Sequence, residues 1–79
     1  MPTVRGIPGP YRIFFFSFDC NEPLHAHVSR ERMLCKFWLE PLALARNNGF
    51  SARELNRSRN VIAENHVCLV EAWNEHCAD

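Results

Sequence analysis

Tyr11-Arg12-Ile13-Phe14-Phe15-Phe16-Ser17-Phe18 is the stretch that decides the fold. Aromatic and β-branched residues favour a pleated strand, and successive strand side chains point to opposite faces. Tyr11, Ile13 and Phe15 therefore share one face, and Phe14, Phe16 and Phe18 share the other. Both sets are apolar, so both faces of this strand need cover. The chain has 79 residues, enough for one domain with one small core. In so small a domain, helices cover one face of a sheet. The other face stays open or meets a partner.

Outward from this strand the pattern continues. Asp19, Asn21 and Pro23 mark a turn, and Pro23 biases Glu22 away from helix. Residues 25–30 read as a second strand, with Ala26 and Val28 on one face and His25, His27 and Ser29 on the other. Arg30-Glu31-Arg32 is a charged hairpin connection. Residues 33–40 form a third strand, with Met33, Cys35, Phe37 and Leu39 opposite Leu34, Lys36 and Trp38. Upstream, residues 1–10 carry Pro2, Gly6, Pro8, Gly9 and Pro10 and read as a lead-in. Thr3-Val4-Arg5 offers a short fourth strand at the sheet edge.

Pro41 suits the first position of a helix. Residues 41–48 are therefore expected as a short helix, closed by a left-handed Gly49. The strongest start signal follows. Ser51 and Glu54 form a capping box, and Phe50 with Leu55 forms the hydrophobic staple around it. A long helix is expected over residues 51–77, with Leu55, Ile62, His66, Leu69 and Trp73 on one apolar stripe. The expected class is α+β: a mostly antiparallel sheet of three to four strands, packed on one face by both helices. Phe15, Phe37, Leu39, Leu55, Ile62, Leu69 and Trp73 are the expected core.

Composition narrows the function classes. Formal net charge is zero, whereas dedicated nucleic-acid binders are usually basic. No apolar run reaches the roughly 18 residues of a membrane span. With no export signal in view, a cytoplasmic location is expected. Cys20, Cys35, Cys68 and Cys77 are then expected as free thiols, with Cys35 and Cys68 as small core fillers.

Three chemical readings stay open. His25 and His27 project from one side of a strand, a plausible start for a zinc-like metal site. Cys20, Asp19 or Glu22, or His66 or His76 from the long helix, would supply a further ligand. The same histidines, oriented by Asp19 or Glu22, would serve as general bases in a hydrolase or nuclease. The plainer reading has one imidazole bonded to the turn and the other packed on an aromatic such as Trp38. Residues 41–60 also resemble a helix-turn-helix, with Arg53, Asn56, Arg57 and Asn60 facing DNA. Finally, Phe14, Phe16, Phe18 and Trp38 ask for a covering surface, from a second copy of the chain or a small protein partner.

Pro2-Thr3-Val4, the aromatic strand, Pro23-x-His25-x-His27, Lys36-Phe37-Trp38-Leu39 and Leu69-Val70-Glu71-Ala72-Trp73-Asn74 occur together in this order. Over nearly its whole length the chain thus resembles a family of small bacterial proteins known as domain-of-unknown-function four-one-six-zero. The family usually has a second proline where Leu24 stands, so a looser turn before His25 is expected. The resemblance implies a cytoplasmic protein of a small two-gene, toxin–antitoxin-like module that works with another short protein. It supplies no catalytic residue and no cofactor.

Overall fold

Among the described residues, four strands and two helices follow in chain order: β1 (Arg12–Phe14), a 3-10 turn (Asp19–Asn21), β2 (His25–Arg30), β3 (Met33–Leu39), β4 (Leu42–Asn48), α1 (Ala52–Glu64) and α2 (His66–His76). The computed structural model describes Val4, residues 9–16 and residues 18–78. The strands make one antiparallel sheet in the order β1-β2-β3-β4. The α+β class holds, with four strands in the sheet.

The aromatic stretch splits its faces as its alternation requires. Tyr11, Ile13 and Phe15 join Ala26, Val28, Cys35, Phe37 and Leu39 in one core with Phe50, Ile62, Leu69 and Trp73. Phe14 and Phe16 turn the other way and meet His27. The ladder itself is shorter than the expected strand, because the chain leaves the sheet after Phe14. Val4 N–H donates to the Ile13 carbonyl at 2.8 Å. The rest of the expected Thr3-Val4-Arg5 strand lies outside the described residues, as does most of the lead-in.

The fourth strand comes from a different place. Residues 42–48, expected as helix, pair with β3 as β4. Pro41 stands in the two-residue connection, after a cis Glu40–Pro41 peptide. A helix of under two turns gains few hydrogen bonds for its nucleation cost. Pairing instead satisfies the open edge of β3 along its length. Lys36 pairs with Arg46 and Phe37 with Leu44, so Ala45 is an extra residue, a bulge. With β4 where the helix directly before α1 was expected, the helix-turn-helix reading falls, and Arg53, Asn56, Arg57 and Asn60 stand on α1.

Asn47 closes the turn into α1, with both ends of its amide bonded to the Phe50 backbone. The Ser51 hydroxyl accepts the Glu54 N–H at 3.2 Å, as a capping box requires. Glu54's own carboxylate leaves the box. It accepts the Tyr11 hydroxyl and faces Arg30, tying the helix to the sheet. Tyr11 first, then Arg30 and Arg57, hold the Glu54 carboxyl below its ordinary range. The expected single long helix is interrupted at Asn65, at φ −114° and ψ 20°. The Asn65 side chain donates to the Val61 carbonyl at 2.8 Å, which competes with the backbone ladder. The apolar stripe survives the break: Ile62, Leu69 and Trp73 are buried, and Leu55 and His66 half-buried.

The cysteines depart from expectation. Cys20 and Cys77 form a disulfide across 57 positions, because α2 returns its C-terminal end to the 3-10 turn. Cys35 is a buried core thiol, but Cys68 is exposed. Burial pushes the Cys35 thiol up to about 11, so at neutral pH it holds almost no thiolate, the reactive form. A thiol reagent at pH 8 should label Cys68 quickly and Cys35 only on unfolding. Mass mapping of the labelled peptides checks this. Equal rates at both would contradict the burial.

Candidate functional site

The 3-10 turn after the aromatic strand places one carboxylate under two imidazoles. Asp19 is 1% exposed, although carboxylates are almost never fully buried unless paired. Its Oδ2 accepts the Phe16 N–H at 2.7 Å and the His27 Nε2–H at 3.0 Å. His25 Nε2 lies 3.2 Å from the same oxygen. Nδ1 of His25 donates to the Pro23 carbonyl at 2.8 Å, so the Pro23 turn fixes the tautomer. Two-residue spacing puts both histidines on one face of β2, and Asp19 is brought to them by the fold.

Packing locks both rings. His27 stacks on Phe14 at 5.4 Å between centroids and meets the edge of Phe16 at 4.7 Å. His25 is fully buried between Trp38 and Trp73, at 5.7 Å and 5.0 Å. Of the plainer reading of the pair, His25 bonds the turn and His27 packs on aromatics, on Phe14 and Phe16 rather than on Trp38, which meets His25. Burial, the first cause, and then the neighbouring His25 lower the pKa of His27, while Asp19 acts in the opposite direction. His27 is thus favoured neutral, with its Nε2 proton directed at Asp19.

Beside this cluster runs a groove of about 430 Å³ on the sheet face away from the helices. Asp19 and His27 form part of its wall, with Phe16, Phe18, Lys36 and Trp38 around them. Phe18 is 64% exposed and stacks on Phe16 at 5.5 Å. The Lys36 ammonium sits 4.5 Å from the Trp38 ring centroid and 2.6 Å from Glu22. Arg46 reaches the same groove from β4.

The sequence candidates separate here. Asp19, His25 and His27 come together. Glu22, equal to Asp19 by spacing, turns outward to Lys36. Cys20 is bonded to Cys77 and does not join the histidines. Of the interaction residues, Phe16, Phe18 and Trp38 line the groove, while Phe14 is buried beneath His27. Arg46 was hidden by the helix expectation for residues 41–48. His76 is held away from the pair: Nε2 lies 2.9 Å from the Phe16 carbonyl and the ring stacks on Phe15. His66 bonds the Leu39 carbonyl, as a half-buried structural histidine does.

His27 Nε2 is engaged by Asp19, and His25 does not reach the groove wall. Among the described residues, no helix is long and apolar enough to cross a membrane. The family model described as Domain of unknown function (DUF4160) matches residues 11–74. No curated protein and no solved structure gives a match.

Proposed function

The chain belongs to the Domain of unknown function (DUF4160) family, and from that premise we propose that it binds a small protein partner through the open face of its sheet. It would be the interaction component of a bacterial two-gene, toxin–antitoxin-like module, and the partner the companion short protein. The observation that carries this reading is the uneven cover of the sheet. The helices pack on one face, while Phe18, stacked on Phe16, and half-buried Trp38 flank a groove on the other. Aromatic anchors of this kind dominate binding energy when a partner seals them from water. Lys36, Glu22 and Arg46 give the groove a polar border, as protein interfaces have. A cytoplasmic setting belongs to the same proposal.

Co-expression with the companion gene's product, followed by native mass spectrometry, tests it. A one-to-one complex is expected. Phe18→Ser with Trp38→Ala should weaken it by on the order of several hundred-fold, since two anchors at roughly 2 kcal/mol each sum to about 4 kcal/mol. Circular dichroism checks that the double variant is folded, and Phe18→Ser alone, at a mostly exposed position, keeps the test open if it is not. A chain that stays alone beside its companion defeats the reading. A self-associated chain, blocked by the same double variant, would replace the companion with a second copy.

A further inference from the structure

We propose that Asp19 Oδ2, His25 Nε2 and His27 Nε2 are the ligands of one divalent transition-metal ion of the zinc class. Three observations on these residues lead there.

The first is an orphaned nitrogen. His25 is fully buried, and its Nε2 makes no hydrogen bond among the described residues. Its Nδ1 proton is committed to Pro23. In the neutral ring, Nε2 therefore presents a bare lone pair toward a carboxylate oxygen 3.2 Å away. Two electron-rich atoms facing each other in a buried site is a costly arrangement. A cation between them turns both into ligands.

The second is the geometry of that contact. Asp19 Oδ2 is near His25 Nε2 but outside hydrogen-bonding geometry. A hydrogen bond needs the oxygen on the nitrogen's lone-pair axis, whereas a shared metal needs it off that axis. With bonds of about 2.0–2.1 Å, neighbouring ligands of a tetrahedral or octahedral ion lie roughly 2.9–3.4 Å apart. The Asp19 oxygen is 3.2 Å from His25 and 3.0 Å from His27. All three ligand atoms lie within 4.8 Å of one another.

The third is the support around them. The His25 Nδ1–H bond to Pro23 and the Phe16 N–H bond to Asp19 are the outer contacts that orient metal ligands and fix their tautomers. Phe14, Phe16, Trp38 and Trp73 hold the two rings. For binding, the His27 proton moves from Nε2 to Nδ1, and Nε2 turns from donor to ligand. Two imidazoles and one carboxylate leave at least one coordination position free. Asp19 and His27 line the groove, so that position is filled from the groove side.

A second cluster, Cys20, His76 and Cys77, also brings three ligand atoms together. Its sulfurs are joined to each other, so it offers no thiolate while the disulfide is intact. This makes the two sites separable.

The experiment is a zinc titration of the oxidised, chelator-stripped chain, followed by native mass spectrometry and by nitrogen NMR of the histidine rings. One ion per chain is expected. The ring nitrogens of His25 and His27 should shift, while those of His66 and His76 stay. His27→Gln should lower affinity beyond the 10–100-fold typical of outer-contact losses. The NMR arm uses the unaltered chain, so a misfolded variant does not spoil the test. No uptake by the oxidised chain would overturn the proposal. So would uptake that shifts His76 alone, or that needs reduction of the disulfide. Partner binding is read separately, so either result leaves the interaction reading to its own test.

Discussion

Asp19→Ala should cost about 3–5 kcal/mol of folding stability, the largest effect expected of any single polar residue here. Asp19 is buried, and one oxygen accepts both a backbone N–H and an imidazole N–H. Alanine removes the charge-assisted bonds and leaves two buried donors unpaired. A domain of this size has only about 4–12 kcal/mol in total, so the loss takes roughly a quarter of it or more. Asp19→Asn keeps an acceptor oxygen in place and should lose clearly less. Urea unfolding of all three proteins, with a chelator present, gives the comparison directly. A loss under about 1 kcal/mol for alanine would mean the turn is held by other contacts.

The second large effect concerns Cys20 and Cys77. A bond closing 57 positions removes chain entropy from the unfolded state worth about 4 kcal/mol, and measured gains are commonly 2–4 kcal/mol. Reduction should therefore lower the melting temperature by roughly 10–30 °C. Cys77→Ser should melt like the reduced protein and no longer respond to reductant. Cys68→Ser should respond like the original chain, because Cys68 is a free surface thiol. Cys20 directly follows Asp19 in the 3-10 turn, so the disulfide also anchors the turn that delivers Asp19 to the histidines. A melt indifferent to reductant would show the bond idle.

The sequence made the strand faces legible because alternation is local. Ile13 and Phe15 against Phe14 and Phe16 follow from period two alone, and Cys35, Phe37 and Leu39 against Lys36 and Trp38 do so again. Ser51 and Glu54 marked the start of α1 for the same reason. Residues 42–48 misled because Leu-Ala-Leu-Ala-Arg favours helix by propensity, while the need of β3 for an edge partner is non-local. The disulfide was hidden likewise, since nothing near Cys20 in sequence announces Cys77. At the site, His25 and His27 stood out by spacing. Choosing Asp19 over Glu22 required the turn, which buries one carboxylate and points the other at Lys36.

The bulge at Ala45 has a consequence for how copies of this protein meet. β4 ends the sheet, and an unprotected outer strand invites another chain to add itself and start a fibre. Here the extra residue breaks the regular spacing of backbone donors and acceptors midway along that strand. Arg46, Asn47 and Asn48 then carry exposed polar groups past the break. A foreign strand finds no long flat template on which to align. Growth of stacked sheets is thereby discouraged at this border of the sheet.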